Sequence, residues 1–199
     1  MKIKLLATAI VIGFSQTAGA QSLEIGAGMP MADATFKTTD NKQVSLNSKK
    51  SSNGLLVMFS CNTCPYVVKS QGRTREAIEC AKRNNVGMVI VNSNAAQRDN
   101  EDSPDEMAKY AKKQGYSVPY VIDDNSKLAD AFGATRTPEV FLFDKNGRLV
   151  YKGAMEDNPS SPSDSKQLFL KSAIDKMVAG AAPDPNSTKS IGCTIKRLQ

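Results

Sequence analysis

The sequence predicts an α/β fold in which a mixed β-sheet is flanked by helices on both faces. Three observations lead to this prediction. Continuous apolar segments at 55–59, 86–91 and 119–122 are typical of strands that are buried on both sides. Segments of helix-forming composition alternate with these strands. A hairpin at 140–151 and a last helix at 167–177 then complete a strand and helix order that is typical of an α/β sandwich.

Proline and capping residues mark the predicted helix starts. A helix is predicted from Pro65 to about Arg83, because a proline is tolerated in the first turn, where its N–H would have no partner. Ser103, Pro104 and Glu106 form a capping-box pattern that predicts the start of another helix. The remaining predicted elements are a small hairpin at 34–38 and 43–46, a polar loop at 47–54, a short helix at 125–132, and a turn at Asn146-Gly147 with positive φ angles.

The first 20 residues have the pattern of a cleavable signal peptide. Lys2 and Lys4 precede an apolar run from Leu5 to Phe14, and Ala18-Gly19-Ala20 supplies a small-residue cleavage site before Gln21. An apolar run of about ten residues is half of what a membrane span needs, so an anchoring helix is the weaker alternative. We therefore expect a signal peptide at 1–20, a single domain with a C-terminal tail at 21–199, and a periplasmic or secreted protein. Disulfides form and persist in that environment.

Composition excludes several classes of chemistry. The chain of 199 residues contains no His, which excludes Ser-His and Cys-His catalysis and His metal sites. No P-loop and no G-x-G-x-x-G after a strand is present, so nothing points to a nucleotide. The formal net charge of +6 comes from scattered basic residues without interleaved aromatics, so no nucleic-acid partner is expected.

Cys61 and Cys64 form a C-x-x-C motif between the strand at 55–59 and the helix at Pro65. The helix N-terminus offers unpaired N–H groups and a partial positive charge, which stabilise a thiolate. The pKa of Cys61 is therefore expected to fall from about 8.5 to between about 3.5 and 7.5. The motif predicts a redox-active disulfide in which Cys61 is the exposed nucleophile and Cys64 resolves the mixed disulfide.

Two interpretations without redox chemistry are alternatives to this one. The pair could be a structural disulfide, or it could be half of a zinc site completed by Cys80 and Cys193. The second close cysteine pair that structural zinc sites usually have is missing. We therefore favour the redox interpretation and expect no metal and no organic cofactor.

Five segments together resemble the redoxin, peroxiredoxin-like branch of the thioredoxin superfamily, and the resemblance covers roughly Ile25 to Lys196. It implies a thioredoxin-like fold with Cys61 and Cys64 as the redox pair. It also implies a cis bond between Thr137 and Pro138, which would face the cysteines and let this segment bind a substrate peptide as an extra strand. The segments are Phe59–Val67, Val91–Asn94, Glu101–Pro104, Thr137-Pro138 and Gly192–Lys196.

The sequence departs from the family pattern at informative positions. A peroxiredoxin has Thr three residues before its peroxidatic cysteine and Pro four residues before that Thr, and these places hold Met58 and Gly54. The strand at 55–59 also lacks the buried acid of thioredoxin. Asp123, Asp124 and a water are the remaining candidates for accepting the proton of the resolving thiol, and spacing favours none of them.

The roles of Cys80 and Cys193 stay open at this point. A structural Cys80–Cys193 bridge is slightly favoured, because export and an even cysteine count favour pairing. The alternatives are that Cys193 is a third redox cysteine that reaches Cys61 or Cys64, or that it is a free thiol.

The sequence thus predicts an exported thiol–disulfide oxidoreductase whose partners are protein thiols and disulfides. Cys61 and Cys64 would carry the chemistry, and Thr137 and Pro138 would bind the substrate backbone. A thiol peroxidase is the enzymatic alternative, and a copper carrier that uses the C-x-x-C thiols is the binding alternative.

Overall fold

The computed structural model describes residues 22–198, so the predicted signal peptide at 1–20 lies outside the described residues. The helices in this range are α1 (Leu46–Lys49), α2 (Pro65–Lys69), α3 (Gln71–Arg83), α4 (Pro104–Gln114), α5 (Lys127–Phe132) and α6 (Phe169–Val178). The strands are β1 (Phe36–Lys37), β2 (Gln43–Val44), β3 (Gly54–Ser60), β4 (Gly87–Asn92), β5 (Tyr120–Ile122), β6 (Arg136–Thr137), β7 (Glu139–Asp144), β8 (Leu149–Gly153) and β9 (Cys193–Thr194).

A five-stranded sheet of order β5-β4-β3-β7-β8 forms the centre of the molecule. β3 pairs in parallel with β4, where Met58 lies opposite Ile90, and antiparallel with β7, where Met58 lies opposite Val140. Every residue of β3 is buried. The continuous apolar run at 55–59 therefore predicted the central strand correctly, and the mixed sheet is confirmed.

Side chains alternate along β3 between two separate cores. Leu56 and Met58 face one core, which α3 and α6 cover with residues such as Ile78 and Ile174. Leu55, Val57 and Phe59 face the other core, which α5 covers. The prediction that helices flank both faces of the sheet is confirmed.

Two helical details differ from the prediction. The polar loop at 47–54 begins with α1, because Ser45 and Ser48 form a reciprocal capping box that ends the predicted strand at Val44. The helix predicted from Pro65 is divided at Ser70 into α2 and α3. Thr74 Oγ1 donates to the Ser70 carbonyl at 3.2 Å, and such back-bonding bends helices.

The predicted turn at Asn146-Gly147 and the predicted capping box at Ser103 are each confirmed only in part. Gly147 has φ 72°, but Asn146 does not have positive φ, so the turn after β7 needs one left-handed residue and not two. Ser103 Oγ accepts from the Glu106 N–H at 3.4 Å. The Glu106 carboxylate pairs with Lys109 instead of returning to the Ser103 backbone, so half of the predicted capping box forms.

The C-terminal tail returns to the sheet. β9 pairs antiparallel with β6, so that Thr137 lies opposite Cys193 and Arg136 lies opposite Thr194. This small two-stranded sheet brings residue 193 to the end of β3. Among the described residues, no helix is long and apolar enough to cross a membrane.

Phe132 is the test position for the core that α5 covers. Its ring makes edge-to-face contacts with Phe59, Phe141 and Phe143 at centroid distances of 5.4, 5.2 and 5.7 Å. We expect Phe132→Ala to lower the free energy of unfolding by about 3–5 kcal/mol in urea titrations, because it leaves a cavity among these rings. Val178→Ala, at a side chain that is 39% exposed, should change it by less than about 0.5 kcal/mol. Equal effects of the two substitutions would contradict the assignment of this core.

Candidate active site

The two cysteines of the motif lie where β3 ends and α2 begins. β3 ends at Ser60, Cys61 follows at once, and Cys64 is the N-cap residue of α2 with Pro65 in the first turn. The predicted order of strand, C-x-x-C motif and helix is confirmed. The motif therefore lies between the end of the buried central strand and the N-terminus of a helix.

Thr137 contacts both sulfurs of the motif. Cys61 Sγ lies 3.3 Å from Thr137 Oγ1, and Cys64 Sγ lies 3.3 Å from the Thr137 carbonyl oxygen. The Thr137–Pro138 peptide bond is cis, as the resemblance implied. The structure thus brings together Cys61, Cys64 and the Thr137-Pro138 segment, which are separated by more than 70 residues in the chain.

The disulfide in this structure joins Cys64 to Cys193, with the two Cα atoms 6.0 Å apart. Cys61 and Cys80 carry free thiols. The bridge expected between Cys80 and Cys193 is therefore wrong. Cys80 lies on α3 in the core that also contains Ile78, whereas Cys193 packs with Cys61 and Cys64. The structure also does not contain a Cys61–Cys64 disulfide, because the sulfur of Cys64 is bonded to the tail.

The environment of Cys61 differs from the expectation of an exposed thiolate. Its side chain is 2% exposed, and burial raises the pKa of the Cys61 thiol above its ordinary value. The Thr137 hydroxyl and the N–H groups of Thr63 and Cys64 act in the opposite direction, as expected at a helix N-terminus, while the charge of Asp102 adds to the increase. Desolvation outweighs the helix terminus in this state, so Cys61 is a protonated thiol at neutral pH.

Asp102 is a site residue that the sequence did not single out as an acid. It is fully buried, and its carboxylate accepts from the Asn62 backbone N–H at 2.9 Å, from the Asn92 amide at 2.7 Å and from the Asn94 amide at 2.8 Å. The Asn62 contact fixes the loop between the two cysteines. Its position inside the Glu101–Pro104 segment was the available signal, because that segment contributed to the resemblance.

Asp123, which was a candidate proton acceptor for the resolving thiol, has a structural role. Its carboxylate accepts from the N–H groups of Leu128 and Ala129 and from the Ser93 hydroxyl, so it caps α5 and holds the loop after β4. The carboxylate that acts electrostatically on Cys61 is Asp102 instead.

Tyr120 completes the support under the motif. Its hydroxyl donates to Asn62 Oδ1 at 3.0 Å and accepts from the Asn92 amide at 3.1 Å. Burial holds the pKa of Tyr120 well above its ordinary value, so this hydroxyl stays protonated and keeps donating. Among residues 22–198, no group of three or more acidic, Cys or His side chains is arranged to hold a metal ion.

The comparisons with known proteins agree with this architecture. The family model described as Redoxin matches residues 26–168. The chain belongs to the Redoxin family. The structure of a hypothetical protein from Sinorhizobium meliloti 1021 is similar over 89% of this redoxin and 97% of that chain, with 30% sequence identity and a TM-score of 0.80. No curated protein sequence matches the chain.

More distant structures share the thioredoxin-like fold of this redoxin. The thioredoxin domain of a thiol-disulfide oxidoreductase from Bacteroides vulgatus is 20% identical, with a TM-score of 0.54, over 67% of this chain and 90% of that one. A peroxidoxin from Mycobacterium tuberculosis is 15% identical, with a TM-score of 0.56, over 79% of this chain and 95% of that one. At these identities the likeness shows the fold alone, so the site itself must decide between the two kinds of chemistry.

Asp102→Asn tests the charge under the motif. We expect the pKa of Cys61 to fall, because a negative charge that opposes its thiolate is removed. The free energy of unfolding should also fall by about 1–3 kcal/mol, because an amide cannot accept all three hydrogen bonds. The pH dependence of iodoacetamide alkylation in a Cys80→Ser background, with the modified cysteine located by mass spectrometry of peptides, reports the ionisation of Cys61 separately from that of Cys193 and of the tyrosines. Asp105→Asn, on the exposed first turn of α4, is the matched control, and an unchanged Cys61 pKa in folded Asp102→Asn would contradict this role.

Thr137→Val should move the same pKa in the opposite direction. Valine keeps the shape of threonine but removes the hydroxyl whose hydrogen bond lowers the pKa of Cys61. The same alkylation titration should therefore show ionisation of Cys61 at higher pH than in the wild type. Thr135→Val, at an exposed threonine two residues away, should leave the titration unchanged. A lower Cys61 pKa in Thr137→Val would show that the hydroxyl does not stabilise the thiolate.

Proposed function

We propose that this redoxin is an exported thiol–disulfide oxidoreductase that acts on disulfides of other proteins. The observation that carries the proposal is the contact of both motif sulfurs with Thr137, each at 3.3 Å. A sulfur pair that faces a backbone segment able to pair with an extended chain is suited to protein disulfides. Small oxidants would not need such a segment.

The backbone beside the cysteines supports binding of an extended peptide. β6 pairs with β9 of the same chain, which demonstrates that residues 136 and 137 accept an antiparallel strand. Main-chain pairing of this kind gives affinity without demanding a particular sequence. A substrate strand bound there would place its disulfide against Cys61 and Cys64.

The reaction then needs only the two cysteines of the motif. In the reduced protein the Cys61 thiolate attacks a sulfur of the substrate disulfide, and a mixed disulfide forms while the other substrate sulfur leaves as a thiolate. The Cys64 thiolate next attacks Cys61 Sγ, which releases the second substrate sulfur and leaves a Cys61–Cys64 disulfide. The substrate gains two electrons, and a partner dithiol must return two electrons to the protein.

Export is part of the proposal because of the first 20 residues. Lys2, Lys4, the apolar run Leu5–Phe14 and Ala18-Gly19-Ala20 have the composition of a signal peptide. An oxidising compartment outside the cytoplasm supplies both substrates and partners for such chemistry.

A thiol peroxidase is the second candidate, and one observation favours it. A hydroxyl does lie beside Cys61, but Thr137 supplies it and not residue 58. Met58 points instead into the core that α3 and α6 cover. The peroxidase pattern is therefore missing from β3, and this candidate ranks below the oxidoreductase.

Reduction of insulin disulfides with dithiothreitol as the electron source tests the proposal. We expect the wild-type protein to accelerate insulin reduction and Cys61→Ser to abolish the acceleration, because the attacking sulfur is lost. Cys80→Ser, which removes a thiol outside the site, is the matched control and should retain the wild-type rate. No acceleration by the wild type, together with Cys61-dependent loss of hydrogen peroxide, would replace the oxidoreductase by the peroxidase.

A further inference from the structure

The C-terminal tail occupies the backbone edge that the proposed function assigns to a substrate. β9 pairs with β6 so that Cys193 lies opposite Thr137, and the Arg136 guanidinium donates to the Gly192 carbonyl at 3.3 Å. The sulfur of Cys193 is bonded to Cys64. In its backbone pairing the tail does what a bound substrate strand would do, and its cysteine is disulfide-bonded to the resolving cysteine of the motif.

Contacts beyond β9 hold the tail in this position. The Ile195 side chain is 3% exposed in the core that also contains Phe132, and its N–H donates to the Thr135 carbonyl at 3.1 Å. The Lys196 N–H donates to Asn94 Oδ1 at 2.9 Å, and its carbonyl accepts from the Ala96 N–H at 2.9 Å. The tail is thus built into the fold on the far side of the disulfide.

The fit between the tail and Thr137 is close. A Cβ atom at Gly192 would lie 2.2 Å from the Thr137 carbonyl oxygen, which is far inside van der Waals contact. Only glycine lets the tail backbone approach the edge of β6 at this distance. Under this cover Cys61 is 2% exposed and Cys64 is 4% exposed, so a protein disulfide cannot reach either sulfur.

The tail strand lies beyond the segment that the family model matches. The Redoxin model ends at residue 168, so Cys193 and the strand that contains it lie beyond the matched segment. The cysteine pair and Thr137 lie inside it. The matched segment therefore ends before α6, and both α6 and the tail strand pack onto the part of the domain that it covers.

We propose that Cys193 is a third redox cysteine and that the tail strand is an internal occupant of the substrate edge, released by exchange within the cysteine cluster. This proposal deepens the proposed function and rests on it. Its chemical class is thiol–disulfide exchange between Cys61, Cys64 and Cys193, which pack against one another.

The internal exchange balances without an added oxidant. Cys61 loses its proton and attacks Cys64 Sγ, the Cys61–Cys64 bond forms, and the Cys64–Cys193 bond breaks. Cys193 leaves as a thiolate and takes up a proton. The number of disulfides is unchanged, but the covalent connection between the tail and the motif is lost, so the strand at 193–194 can leave the edge of β6. A disulfide-bonded partner protein is the oxidant that first converts the reduced cluster to either disulfide.

Disulfide mapping tests whether Cys193 exchanges disulfides with the two cysteines of the motif. The protein is equilibrated in graded glutathione buffers, free thiols are alkylated, and the bridges are located by mass spectrometry of peptides. We expect both Cys61–Cys64 and Cys64–Cys193 in the wild type, Cys64–Cys193 alone in Cys61→Ser, and Cys61–Cys64 alone in Cys193→Ser. Cys80→Ser should reproduce the wild-type pattern. Absence of Cys64–Cys193 from both the wild type and Cys61→Ser would overturn the proposal.

Gly192→Ala tests the occupancy of the edge without removing a sulfur. The added methyl group must push the tail away from Thr137, so we expect insulin disulfides to be reduced at least about tenfold faster than by the wild type, because the competent state is no longer rare. Gly28→Ala, where a Cβ meets nothing within 4 Å, is the matched control. Thermal melting verifies that both variants are folded.

The outcomes separate the two proposals. Insulin reduction by Cys193→Ser and Gly192→Ala at the wild-type rate would overturn the tail as an occupant of the edge while the oxidoreductase survives. Absence of insulin reduction in the wild type and in both variants would overturn the proposed function, and the mapping experiment would still decide whether Cys193 exchanges with the motif.

Discussion

The pairing of β3 on both of its edges is the constraint on which the rest of the molecule depends. β4 and β7 hold the strand, and both of its faces are buried, so the backbone at Ser60 cannot move without disturbing two cores. The backbone of Cys61 is fixed for the same reason, because Cys61 directly follows Ser60. The loop between the cysteines is held separately, because Asp102 and Tyr120 both form hydrogen bonds with Asn62.

Burial and helix electrostatics act against each other at Cys61. Sequence reasoning anticipates the helix N-terminus, since the N–H groups of Thr63 and Cys64 do favour a thiolate. It cannot anticipate the burial of the sulfur in the folded protein, which raises the pKa of Cys61 and outweighs these N–H groups. The reactivity of the Cys61 thiol therefore depends on its burial as well as on the N–H groups of the motif.

The accuracy of the sequence predictions follows from the range of the interactions involved. The apolar run at 55–59, the position of Cys61 and Cys64 before a helix, and the Thr137-Pro138 segment carry local signals, and the structure has each of them in the predicted place. The partner of Cys193 has no local signal, because β9 is two residues long and its pairing depends on the path of the tail. The contact of Asp102 with Asn62 joins residues 40 positions apart through side-chain packing, and no periodicity reports it.

The Cys64–Cys193 bond also has a topological meaning. It closes a loop with a sequence separation of 129 residues, and β4, β5, β7 and β8 all lie inside that loop. Cross-links over such distances restrict the unfolded chain, and in the chain-entropy account a loop of this size is worth about 5 kcal/mol. The cysteine that is bonded to Cys64 therefore determines how much conformational freedom the unfolded chain has. In the proposed exchange the closed loop shrinks to the segment from Cys61 to Cys64, which precedes α2. The bonding partner of Cys64, and not the number of disulfides, then determines how strongly the unfolded chain is cross-linked.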